Sequence, residues 1–286
     1  MIQAMRFLVN VPNFGEFADI RAVAELAREA EAAGWDGFFT WDHVLHDANI
    51  EQPVADPWIT LTAVALATER MRIGTLISPL ARRRPWKVAR ETVSLDHLSN
   101  GRFVLGVGLG FPPDADFAMI GEEPDDRVRG ARLDEALDVV TGLWRGEPLH
   151  HEGAHFRIDG ATFLPRPVQE PRIPIWCAAM WPNKAPLRRA ARYDGVVPLK
   201  VGETDIGTLT PGEVAEIVRY VREHRESDAP FDVVTGGPPP WDGGFDLRAA
   251  LPAYAEAGLT WWIESCGGEP GSFADLRERV LAGPPR

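Results

Sequence analysis

The chain has 286 residues, enough for one large α/β domain or two small ones. Hydrophobic residues make up 45% and charged residues 25%, ordinary globular usage that excludes a wholly disordered chain. Lys and Arg total 30 and Asp and Glu 42, a net charge of −12, opposite in sign to the field of a general nucleic-acid binder. Two cysteines, Cys177 and Cys266, supply neither a disulfide framework nor a zinc cluster, so a reducing cytoplasm is the simplest compartment. No apolar run reaches the roughly 18 residues of a membrane span. Met1 to Asn10 lacks the apolar core and cleavage site of a secretory signal.

Strand-like and helix-like segments alternate from the start. Arg6 to Val11 is a short apolar run ended by Pro12 and Gly15. Asp19 offers an N-cap to a helix carrying Val23, Ala24, Ala27 and Ala30 on one face, and Gly34 closes it. Asp36 to Trp41 is the next strand, and Pro57 to Glu69 a helix opened by proline. Arg72 to Ser78 is a third strand. Pro85 opens a helix to Leu98, ended by Ser99-Asn100-Gly101. Arg102 to Leu109 is a fourth strand, followed by a long helix from Asp125 to Trp144. Four further units follow: strands Ile173 to Ala179, Gly195 to Lys200, Phe231 to Thr235 and Leu259 to Glu264, with helices Asn183 to Tyr193, Pro211 to Glu226, Phe245 to Ala257 and Phe273 to Leu281.

Continuous apolar strands alternating with amphipathic helices predict a parallel sheet covered by helices. Eight units in this length fit a (β/α)8 TIM barrel, read as a single domain over residues 1–286. An open doubly wound sheet is the rival. Gly106-x-Gly108-x-Gly110 follows a strand, but it lacks the dinucleotide-binding spacing, and Phe111-Pro112-Pro113 opens no helix in this reading. Leu149 to Phe163 breaks the rhythm and reads as an inserted β-hairpin after the fourth helix. His150, His151 and His155 lie on it with Glu152, but their spacing is too loose to predict a metal site. Gly236 to Pro240 is a stiff loop at the barrel mouth.

A parallel barrel binds its ligands at the carboxyl ends of the strands. Those ends carry Asn13 and Phe14; Trp41, Asp42 and His43; Ser78 with Arg82, Arg83 and Arg84 beyond it; Gly108, Gly110 and Phe111; Met180, Trp181, Asn183 and Lys184; and Lys200. Such a rim, rich in rings and glycines and poor in carboxylates, suits a flat aromatic ligand better than a divalent metal. A lyase or aldolase would need a catalytic lysine at a strand end, where Lys200 is the candidate. Cys177 reads as plain core.

Three segments carry a family resemblance: GWDGFFTWDHV, RIGTLISPLARRRPWKVARETVSLDHLSNGRFVLGVGLG and PIWCAAMWPNKAPLRRAARYDGVV. They resemble the luciferase-like monooxygenase superfamily of flavin- or deazaflavin-dependent (β/α)8 enzymes. The resemblance implies a non-proline cis peptide between Leu76 and Ile77, beneath the isoalloxazine ring. It implies His43 as the active-site histidine and Asp42 as the acidic residue beside it. It places cofactor contacts at Leu76, Ile77, Ser78, Gly108, Met180 and Trp181, with cofactor phosphate at Asn183 and Lys184, or failing that at Arg82 and Arg83. Phe14, Trp41 and Phe111 fall on the substrate side. Reduced FMN, delivered by a separate flavin reductase for oxygenation of a small organic substrate, is the first expectation, since no nicotinamide-binding segment is visible. Hydride transfer with coenzyme F420 is the alternative. A third reading is a silent flavin-binding relative, because Phe111 stands where deazaflavin sugar-phosphate dehydrogenases place a glutamate and Leu109 where bacterial luciferase places an arginine. Self-association into a homo-oligomer is left open.

Overall fold

A computed structural model describes residues 5–47, 49–201, 206–237, 246–265 and 272–286. Strands β1 (Arg6–Val11), β2 (Gly37–Thr40) and β3 (Arg72–Thr75) follow one another as the sequence predicts, with α1 (Ile20–Ala33) and α2 (Pro57–Ala67) between them. Asp19 caps α1 by accepting from the N–H groups of Arg21 and Ala22, and Gly34 ends it at φ 93°. The short β4 (Ser78–Pro79) precedes α3 (Pro85–Leu98), β5 (Phe103–Gly108), a one-turn α4 (Pro113–Asp116) and the long α5 (Asp126–Trp144).

The inserted hairpin is present as β6 (Leu149–Glu152) and β7 (Arg157–Ala161), paired antiparallel. Then come β8 (Ile175–Trp181), α6 (Lys184–Ala191), β9 (Gly195–Val201), β10 (Ile206–Gly207), α7 (Pro211–His224), β11 (Asp232–Gly236), α8 (Leu247–Glu256), β12 (Trp261–Ser265) and α9 (Phe273–Ala282). Of the residues singled out in the sequence, Pro240 of the loop, Phe245 at the expected start of the seventh helix and Cys266 lie outside the described residues.

Parallel pairing runs β1–β2–β3–β5–β8–β9–β11–β12 and returns to β1, so the sheet closes into an eight-stranded (β/α)8 barrel. The open doubly wound sheet is thereby excluded. Side-chain alternation builds two cores. Phe7, Val9 and Val11 of β1 face the helices, within the large outer cluster. Leu8 faces inward with Phe39, Val104, Trp176, Val197, Val234 and Trp261, which plug the barrel. Phe39 and Trp176 stack there at 5.1 Å.

The third strand departs from expectation. Instead of one run from Arg72 to Ser78, the chain divides into β3 and β4, with the Leu76–Ile77 peptide bond cis between them. Against β5 the register slips by one residue across this break: Gly74 faces Val104, whereas Ser78 faces Val107. The slip lets two successive side chains, Leu76 and Ile77, both join the interior cluster. Only glycine fits opposite. A Cβ on Gly106 would lie 1.9 Å from the Thr75 carbonyl oxygen.

The segment LDHLSNGR serves as a staple below the barrel. Asp96, fully buried, accepts from the Val168 N–H at 2.7 Å and from Gln169 Nε2 at 2.8 Å. Arg102 donates to the Ser99 carbonyl at 2.7 Å and to Thr68 Oγ1 at 2.8 Å, joining α2, α3 and β5. A buried charge of either sign is tolerable only with such complete pairing. Glu135 on α5 docks the hairpin by accepting from the N–H groups of His155 and Phe156.

Candidate active site

The carboxyl ends of β1, β2, β3 and β5 assemble one mouth. Its floor is apolar and flat. A Cβ on Gly108 would lie 2.8 Å from Ile77 Cδ1 and 3.1 Å from the Ala178 Cβ, so glycine keeps the surface between β3 and β8 level. Met180 is the next inward residue of β8 and is 37% exposed. Phe111 stands free at the rim, 74% exposed.

His43 is fixed in both backbone and ring. Asn13 holds the backbone: its Nδ2 donates to the His43 carbonyl at 2.8 Å, and its Oδ1 accepts from the His43 N–H at 3.1 Å. The ring nitrogen Nδ1 lies 2.7 Å from Asp116 Oδ2, and the other Asp116 oxygen accepts from the N–H groups of Val44, Leu45 and His46. Burial alone would raise the Asp116 carboxyl, but the His43 bond, the backbone donors and the Arg82 charge outweigh it and hold it well below the ordinary range. An ionised carboxylate can only accept, so Nδ1 carries a hydrogen, and whenever the ring is neutral the lone pair lies on Nε2. Among the described residues, Nε2 has no protein partner.

Rings close the other side of His43. Phe14 and Trp41 meet it edge-on with centroids at 5.9 and 5.8 Å, and His46 at 4.8 Å. His46 stacks on Phe14 at 3.8 Å. Burial first, and then the neighbouring His43, depress the His46 imidazole, so it is neutral at pH 7. Phe14 is only 5% exposed, which places it behind His46 rather than on a substrate-facing surface as expected.

Several expected roles are corrected by position. Asp42 does not stand beside the His43 ring as a free acid: its side chain is fully buried and accepts from Ser78 Oγ at 2.6 Å, Arg82 Nη2 at 3.0 Å and Arg83 Nη2 at 2.7 Å. The same bonds commit Ser78 and Arg83 and tie Arg82 to Asp42 through Nη2, leaving its buried Nε and Nη1 without a partner among the described residues. Trp181 points outward by strand alternation and lies in the outer core, with the Lys184 ammonium 3.9 Å from its ring centroid. Leu76 and Ile77 take the expected cis geometry and face the interior, and Gly108 lies in the floor. Asn183 is the N-cap of α6, with no side-chain capping bond, and Lys184 is its first residue.

Elsewhere, Lys200, the candidate lysine for an aldolase, pairs with Glu213 at 2.8 Å. Burial pushes the Cys177 thiol up to about 12, consistent with core. His150 pairs with Asp159 and His151 with Glu135, and no group of metal ligands occurs among the described residues.

Asp116 was not legible as a functional residue. It ends α4, the single turn that Pro113 opens where no helix is expected. The signal available was Pro113 at a first helical position in an acidic segment, Asp114 to Asp116, directly after a glycine-rich strand. Arg129, buried on α5, steadies this turn by donating to the carbonyls of Leu109 at 2.9 Å and Gly110 at 3.0 Å.

A family model described as luciferase-like monooxygenase matches residues 5–242. An F420-dependent glucose-6-phosphate dehydrogenase of Nakamurella multipartita is 35% identical over 61% of this chain and 51% of its own length. The oxygenase component of a flavin-dependent trigonelline monooxygenase of Acinetobacter baylyi is 28% identical over 65% of this chain and 50% of its own. The chain thus spans about half the length of the curated relatives it matches. Among solved structures, an F420-dependent secondary alcohol dehydrogenase superposes with a TM-score of 0.74, 18% identity and coverage of 98% and 99% of the two chains. A monooxygenase of Streptomyces bottropensis gives 0.73, 22% identity and coverage of 97% and 98%. At these identities the likeness is one of fold.

Proposed function

Because the chain belongs to the luciferase-like monooxygenase family, we propose that it is an oxidoreductase working with an FMN or F420 ring in the barrel mouth, with His43 as the proton partner of the reaction. The observation that carries this reading is the Asp116-oriented imidazole at the rim of a flat apolar floor. The residues fit such a ring. Gly108 leaves the floor without a Cβ, Ile77 and Ala178 border it, and no free carboxylate among the described groups around it opposes an electron-rich ring. Such a ring supplies two electrons when bound.

The protein's part is positioning and proton transfer. With a carbonyl substrate, a protonated His43 would donate its Nε2–H to the substrate oxygen; with an alcohol, a neutral Nε2 would accept the hydroxyl proton. Asp116 fixes the tautomer for both directions. Asp42, bridged to Ser78, Arg82 and Arg83, ties the ends of β2 and β4 together and so supports the floor. Phosphate binding belongs in this proposal at the start of α6, where the first N–H groups have no intrahelical acceptor and the dipole favours an anion.

The F420 reading draws support from dehydrogenase relatives such as that of Nakamurella multipartita. The FMN reading, with a separate reductase as partner, draws support from a relative named as an oxygenase component. Turnover separates them. Under the F420 reading, small carbonyl compounds oxidise reduced F420 and small alcohols reduce oxidised F420, both under anaerobic conditions. Under the FMN reading, product forms only with reduced FMN and dioxygen. Absence of substrate-dependent turnover with either, in protein that binds the cofactor, returns the chain to a silent binder.

A further inference from the structure

Among the described residues, three buried polar side-chain atoms inside the barrel lack a hydrogen-bond partner: the indole nitrogens of Trp176 and Trp261, and Oδ1 of Asn10. The two indoles lie near the amino-terminal ends of their strands, within the apolar plug. Asn10 differs in place and chemistry. It is the last inward-facing residue of β1, above Leu8 and in register with Phe39 and Ser265, at the end of the barrel where His43 stands. Its side chain is more than nine-tenths buried, yet a thin exposed edge remains. An amide oxygen with no donor is costly in a ligand-free barrel, and native proteins concentrate such costs at sites that a ligand completes.

We propose that Asn10 is the polar anchor for the bound ring, its Oδ1 accepting from a ring-borne N–H or O–H donor. The proposal rests on the cofactor reading above. Among the described residues the floor of the site is apolar, formed by Ile77, Gly108 and Ala178, and the nearby Asp42 is spent on Ser78, Arg82 and Arg83. Two sources share the required chemistry. The pyrimidinedione N–H is common to FMN and F420, whereas the phenolic O–H of the deazaflavin belongs to F420 alone.

The test measures affinity for oxidised FMN and oxidised F420, and the unliganded Tm, in the wild-type chain, Asn10→Leu and Asn10→Ala. Leucine matches asparagine in size without its polar atoms; alanine removes the amide without adding bulk. Loss of one hydrogen bond in a buried site weakens binding roughly tenfold in both variants. The unliganded Asn10→Leu protein gains about 2–4 °C in Tm, because the orphaned carbonyl is gone. A loss for both cofactors assigns the donor to the pyrimidinedione N–H, and a loss for F420 alone assigns it to the phenol. Unchanged affinities in both variants overturn the proposal while leaving the cofactor reading intact. Weaker binding with a lower Tm in both variants also overturns it, since the amide then supports the fold. A wild-type chain that binds neither cofactor overturns both.

Discussion

His43→Ala is expected to lower turnover by about 100-fold or more while FMN or F420 affinity changes little. The physical reason is the division of labour at the mouth. In the proposed function, ring binding rests on the floor built from Ile77, Gly108 and Ala178, none of which depends on the imidazole. The proposed proton transfer runs through Nε2, which has no protein partner among the described residues. His46, the nearest second imidazole, stacks on Phe14 and is held neutral, so it does not replace the lost donor. Steady-state kinetics at saturating cofactor, paired with a binding titration, checks this; unchanged turnover would make His43 a structural residue that Asn13 and Asp116 merely happen to cage.

Asp116→Asn should cost nearly as much by another route. The asparagine oxygen can still accept from the Val44, Leu45 and His46 N–H groups, so the loop from His43 to His46 keeps its shape. Its NH2 now faces His43 Nδ1, where it can only donate. Nδ1 must become the acceptor and Nε2 the carrier of the hydrogen, which removes the general base from the neutral ring. A loss on the order of 10²–10⁴ is expected in the direction that needs the base.

Stability gives an independent reading. The folded Asp116 carboxyl is depressed below its ordinary value of 3.8, so its contribution is fully present above that pH. It is lost progressively as pH falls below it. Asp116→Asn abolishes that part of the acid sensitivity, and Asp116→Ala, which orphans four donors in a buried turn, costs about 3–5 kcal/mol. Chemical denaturation of the variants between pH 7 and pH 3 measures both effects.

Much of the barrel is legible in the sequence because its determinants are local. Asp19 and Gly34 bound α1, Pro85 and Leu98 bound α3, and Arg6 and Val11 bound β1, each as expected from caps, prolines and apolar runs. The site is legible only in part, because its determinants are not local. His43 can be read from its strand-end position and its resemblance to family sequences. Its orienting partner lies 73 residues away, on a turn too short to show periodicity. Adjacency misleads at Asp42: beside His43 in sequence, it turns from the ring into a cluster with Arg82 and Arg83, because successive residues at a strand end face opposite sides. The same alternation sends Trp181 outward and Met180 inward. Asn10 carries no sequence signal at all; its interest arises from an oxygen that folding buries without a partner.

The most direct measurement is titration of the full chain with FMN and with F420, each oxidised and reduced, followed by ring absorbance and fluorescence. Saturable binding of at least one of the two, accompanied by a rise in Tm with cofactor concentration, is the expected result. A chain that remains folded and binds neither ring in either redox state would contradict the account at its root.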